Sequence, residues 1–166
     1  MNELAERPKL PVGCYLRFSP GGYWNPIAIG VRWFTRSRFA HVDLVIYQNS
    51  DQVLLYGAYL NKGVNFQLAS LRKLETDQGS AYVQVPVDLF CHIKPYHRRP
   101  YDLWGALATV FHWAHPWRSA DRWFCSELVA IAMERANLVR FSAPYGVTPG
   151  DLFRACMILN LPYRSL

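Results

Sequence analysis

No run in this sequence approaches the ~20 consecutive apolar residues that a helix needs to cross a bilayer, so no transmembrane segment is expected. The opening residues, MNELAERPKLPVG, carry acids and lack the apolar centre of a secretory signal, and the cytoplasm is the expected compartment. Cysteine is sparse: Cys14, Cys91, Cys125 and Cys156 are irregularly spaced and form no CxxC pair. That argues against a structural zinc site and for reduced thiols. Nothing resembles a zinc finger or an RNA-recognition signature, so no nucleic-acid partner is expected. Repeats, low-complexity tracts and linkers are also missing. The 166 residues have the length of one domain. They divide into a flexible leader over 1–11 and a single domain over 12–166. No metal or cofactor is expected, because His112 and His115, at i and i+3, lack a carboxylate or cysteine in pattern and read as surface or capping residues.

Apolar residues make up 51% of the chain, enough for a real core, and aromatics 15%, enough also to line a cleft. The formal charge is +6 and comes mainly from arginine. It is scattered over Arg32, Arg36 and Arg38, then Arg98 and Arg99, then Arg118 and Arg122. A solvated basic surface is the first reading; attraction to a cell-wall polymer or to lipid head groups is the second.

Short apolar runs at 14–18, 39–47, 52–59, 64–68 and 80–87 are rich in β-branched and aromatic residues and read as strands, the second and third joined by a polar turn at 48–51. Residues 27–35 have apolar positions near helical spacing. From 101 the period changes: 101–113 and 119–138 read as helices, the latter capped by Ser119 or Asp121. His92 and His97 fall in a loop, and 151–159 reads as a last short helix. Strands first and helices after imply an α+β fold.

Cys125 falls in the first turn of the strongest helix, where unpaired N–H groups and the helix dipole depress a thiol pKa. A lone cysteine there is more often a small buried hydrophobe. His41 changes the balance. It stands at the start of an apolar strand, and a thiol with an imidazole is the minimum for nucleophilic catalysis. Trp123, two residues before Cys125, is a candidate wall of the cleft.

Six segments in order resemble the permuted papain-like branch of the NlpC/P60 superfamily, the YiiX/YaeF-type hydrolases, which include phage and prophage members. GCYLRF at 13–18 resembles its opening strand. SRFAHVDLVI at 37–46 resembles the strand that carries its histidine, and LLYGAYLNKGV at 54–64 the strand and Gly-Val turn that follow. Tyr101-Asp102 with Trp104-Gly105, WFCSELV at 123–129 and VTPGDL at 147–152 resemble its remaining motifs. His41 precedes Cys125, as the permuted order requires.

The resemblance implies an antiparallel sheet packed against the nucleophile helix. It also implies cleavage of an amide or ester through an acyl-enzyme, with Cys125 attacking and His41 moving the proton. The substrate would be a peptide, a peptidoglycan fragment or an acyl lipid, reached after lysis or secretion if it lies in the wall. A lipid acyltransferase or thioesterase, or a weak or inactive binding module of the same fold, is the alternative. One position departs from the pattern. The polar residue that orients the imidazole usually precedes the alanine of the second strand, and here Gly57 precedes Ala58. Asp43, two residues after His41 and where the family usually has glycine, is the first replacement. Gln67 is the second, with Tyr56 and Tyr59 behind it. If Cys125 is the nucleophile, iodoacetamide at neutral pH labels it faster than Cys14, Cys91 or Cys156; equal labelling of all four removes that role.

Overall fold

The apolar runs of the first half form strands and those of the second half helices in the computed structural model, which describes residues 13–22, 25–48, 52–70, 74, 78–111 and 121–165. The leader at 1–11, the turn after Gln48, His112, His115, Arg118 and Ser119 lie outside those residues. The described residues hold strands β1 (Cys14–Ser19), β2 (His41–Gln48), β3 (Gln52–Tyr59), β4 (Gly63–Ser70), β5 (Ala81–Val85) and β6 (Tyr163–Ser165). They pair antiparallel in the order β4-β3-β2-β1-β5-β6. With them are helices α1 (Pro26–Thr35), α2 (Leu89–Ile93), α3 (Leu103–Phe111), α4 (Cys125–Arg135) and α5 (Pro149–Ile158). The class is α+β, with one antiparallel sheet.

Each strand sends alternate residues to opposite faces. Leu16, Phe18, Val42, Leu44, Tyr56, Ala58 and Val83 point to the main core, where Leu128, Val129, Ala132 and Met133 of α4 meet them. Full burial is worth about 1.5–3 kcal/mol for a leucine, valine or methionine side chain, so this seam anchors α4 to the sheet. The alternate residues Tyr15, Val45, Leu55 and Tyr82 form a smaller cluster with Leu74 on the other face. The same alternation puts His41, Asp43 and Arg17 on that second face.

The structure differs from the sequence expectation in two places. Helix α4 starts at Cys125, and the residue before it, Phe124, offers no side-chain cap. Asp121 instead pairs with Arg99 at 2.6 Å. The cause is tertiary. Trp123 is held extended beside Tyr101, its N–H donating to the Pro100 carbonyl at 3.1 Å and its own carbonyl accepting from Asp102 N–H at 3.0 Å. The chain cannot coil until it leaves that bridge, so Cys125 becomes the first helical residue. The second difference is α2 together with β6. The former has five residues and the latter three, all exposed, too few to show a period. His92 therefore lies on a helix, and His97 packs against Tyr56 and Phe66.

The bridge at Trp123 depends on Gly63. That glycine has φ +62, and a Cβ there would strike the Arg99 carbonyl. The close approach lets Val64 exchange two backbone hydrogen bonds with Arg98 and Arg99, each 2.8 Å. Gly63→Ala should therefore cost about 1–3 kcal/mol in a denaturant titration. An unchanged midpoint would show that the 98–102 segment is held by other contacts.

Candidate active site

His41 opens β2 opposite Ser19 of β1, and Asp43 lies opposite Arg17. Asp43 has no exposed surface. Arg17 Nε donates to Oδ1 at 3.0 Å and Nη2 to Oδ2 at 2.8 Å, a two-pronged clamp. His41 Nε2 stands 3.3 Å from the same Oδ2. At that distance each group stabilises the charge of the other. Burial alone would raise the Asp43 pKa, but the guanidinium and the imidazole outweigh it and hold the carboxyl below its ordinary range.

Gly57 completes the arrangement. It lies on β3 one step past the Leu44–Tyr56 pair, beside Asp43. A Cβ at Gly57 would stand 3.0 Å from the Asp43 Cβ. A side chain at 57 would press on the Cβ of Asp43, so the bare position on β3 eases the close approach of the two strands there. The Tyr59 hydroxyl closes over the same spot; burial and the adjacent carboxylate push its pKa up and keep the phenol protonated.

Cys125 sits at the first position of α4, within reach of His41. Burial opposes the thiolate. The His41 charge and hydrogen bond, with the backbone N–H groups of Val42 and Ser126, overcome that and lower the thiol pKa. Reciprocally, burial works against the imidazolium, while the thiolate and Asp43 push the His41 pKa up to about 10. Nε2 faces Asp43, which leaves Nδ1 for the sulfur. The other buried thiols behave in the opposite way: burial raises Cys14 to about 11 and Cys156 to about 12. Tyr101 lies near Cys125, its pKa raised by burial and by the thiolate charge.

A cavity of about 1080 Å³ opens beside His41, between the second face of the sheet and the helices α1 and α3. Gln67 lines it. Trp123 and Tyr56 are placed elsewhere. Trp123 packs on Tyr96 with ring centroids 4.2 Å apart, and Tyr56 is buried in the main core beside Phe66 and Phe90. Position 56 has the opposite parity to Gly57, so its side chain leaves the face that His41 occupies. Arg17 was not singled out from the sequence. The available signal was a lone charge between buried Leu16 and Phe18, which demands a partner. Among the described residues no cluster of three or more possible metal ligands occurs. No family model matches this chain, and no curated protein matches its sequence.

Removing the Asp43 charge leaves the Arg17 cation buried, a change that costs about 3–5 kcal/mol for a buried pair. Asp43 is held low, so its contribution is complete above the unfolded value of ~3.9 and fades as pH falls through the folded value. Asp43→Asn should therefore be least stable relative to wild type at neutral pH, and the gap should narrow in acid. Denaturant titrations across pH measure it; a gap independent of pH would mean that Asp43 is not ionised in the folded chain.

Proposed function

We propose that this chain is a cysteine hydrolase of the permuted papain-like NlpC/P60 type, cleaving an amide or ester through an acyl-enzyme. One observation carries the reading: of the three buried thiols, only Cys125 has its pKa lowered, and the imidazole that lowers it is backed by a buried carboxylate.

The steps use groups already in position. The Cys125 thiolate adds to the carbonyl carbon. The oxyanion faces the first turn of α4, where Phe124 supplies no side-chain cap. His41 gives its proton to the leaving nitrogen or oxygen as the C–N or C–O bond breaks, and a thioester remains. Water then attacks, His41 takes a proton from it, and the acid and the thiolate are released. Asp43 fixes the ring and stabilises its cation, and Arg17 fixes Asp43. Both are positioning residues.

Gly57 is the feature that favoured an inactive binding module. Asp43 answers it, since a carboxylate on the neighbouring strand reaches the same imidazole that a side chain at 57 would have oriented.

On this reading His41→Ala lowers kcat/KM for p-nitrophenyl acetate by about 10²–10⁴-fold, and Cys125→Ala abolishes turnover. The wild-type profile should be bell-shaped. Its acid limb reports formation of the thiolate–imidazolium pair, and its alkaline limb falls near 10 as His41 deprotonates. A His41→Ala rate equal to wild type would sink the proposal.

A further inference from the structure

Tyr59 takes no part in the steps above, yet it stands among the groups that perform them. It shares the parity of Gly57, so its side chain leaves β3 on the face that carries His41 and Asp43. The β2–β3 register, carried three steps past the Leu44–Tyr56 pair, brings it beside His41. The two rings lie with centroids 5.5 Å apart and planes inclined by 37°. Arg17, His41 and Tyr59 all line the cavity over this face, and Asp43, with no exposed surface, does not reach it.

The Tyr59 hydroxyl is itself buried, and no hydrogen bond satisfies it. A phenol O–H shut off from water calls for an acceptor. The hydroxyl lies 3.6 Å from the point where a Cβ at Gly57 would stand, and that point is 3.0 Å from the Asp43 Cβ. Asp43 has room to accept. An ionised carboxylate can take about four hydrogen bonds. Arg17 donates one to each oxygen and His41 faces Oδ2, so Oδ1 holds a single bond. The charges that bear on the phenol are Arg17 of β1, Asp43 of β2 and Cys125 of α4, and of the two anions Asp43 acts more strongly. Those that bear on His41 are Cys125 and Asp43.

We propose that Tyr59 is a positioning residue of this site: its ring closes the cavity side of the His41–Asp43 contact, and its hydroxyl donates to Asp43, so that phenol and imidazole share one carboxylate. The proposal rests on the Cys125–His41 reading and adds a residue to its machinery. Tyr59 touches none of the reacting atoms and acts through Asp43. The two parts of the side chain work in opposite directions. A carboxylate that also accepts from a phenol holds the imidazolium less tightly, and His41 gives its proton to the leaving group more readily. That matters here, because thiolate and carboxylate together push His41 up to about 10, well above the range in which an acid–base group works best at neutral pH. The ring does the reverse: by keeping cavity water from Asp43 it preserves the attraction between carboxylate and imidazolium.

The test follows the His41 titration by NMR of the full chain labelled with 15N-histidine. Tyr59→Phe keeps the ring and removes the donor, so the midpoint should rise by about 1 in pH, a tenfold gain in proton affinity. Tyr59→Leu also admits water, and its midpoint should lie below that of Tyr59→Phe. The opposite change needs no substitution at 59. A wild-type chain made with 3-fluorotyrosine carries a more acidic phenol, a stronger donor, and its His41 midpoint should fall. In Tyr59→Phe the same labelling should leave the midpoint where it is. A midpoint that Tyr59→Phe does not raise, or that fluorination does not lower in the wild type, overturns the hydroxyl's role, and so does a fall that persists in Tyr59→Phe. Equal midpoints in Tyr59→Leu and Tyr59→Phe overturn the shielding by the ring. In each of these cases a high wild-type midpoint leaves the Cys125–His41 reading standing. A wild-type His41 that titrates at the ordinary value of ~6.5 overturns both.

Discussion

A carboxylate with no exposed surface lies between a guanidinium and an imidazole, and much of the molecule is arranged to keep it charged. Stripping water from Asp43 is costly, and a single partner at ordinary geometry would not offset it. The clamp from Arg17 engages both oxygens and leaves one of them to face His41. That constrains three strands at once. Arg17 must lie across from Asp43 on β1, His41 must share its face on β2, and a Cβ at the neighbouring position on β3 would press on Asp43. A slip of one residue between β1 and β2 would turn Arg17 away and strand both charges, so the ion pair helps to set the register.

Gly57 gains a meaning from this that it lacked in the linear sequence. In the family that we propose for the chain, the orienting residue precedes the alanine of the second strand and glycine follows the histidine by two. Here the two residue types are exchanged across adjacent strands. The strands are close there: a Cβ at Gly57 would stand 3.0 Å from the Asp43 Cβ.

The thiol is prepared by a different kind of constraint. Helix α4 cannot begin earlier than Cys125, because Trp123 is fixed in an extended bridge to the 100–102 segment, itself held by Gly63. The start of the helix, its dipole and its uncapped N–H groups are therefore delivered at the residue that carries sulfur. The opposite face of the sheet supplies room as well as packing, since α1 and α3 stand over it around a cavity beside the smaller cluster.

Much of this was legible in the residues themselves. Periodicity of 2 marked the strands and placed His41 and Asp43 on one face; the later helical period marked α3 and α4, and the order of the two implied α+β. These features are local, written in the spacing of apolar side chains. The exact start of α4 was not, because it depends on a bridge between residues more than twenty apart. The placement of Tyr56 away from His41, the pairing of Arg17 with Asp43 and the reason for Gly57 were likewise hidden. Each depends on which residue of one strand lies beside which residue of another, and sequence specifies that register only through the total energy of the folded sheet. The sequence by itself determined which residues could do chemistry; the tertiary structure decided which of them meet, because contact between distant residues is settled by packing volume and buried charge rather than by spacing along the chain.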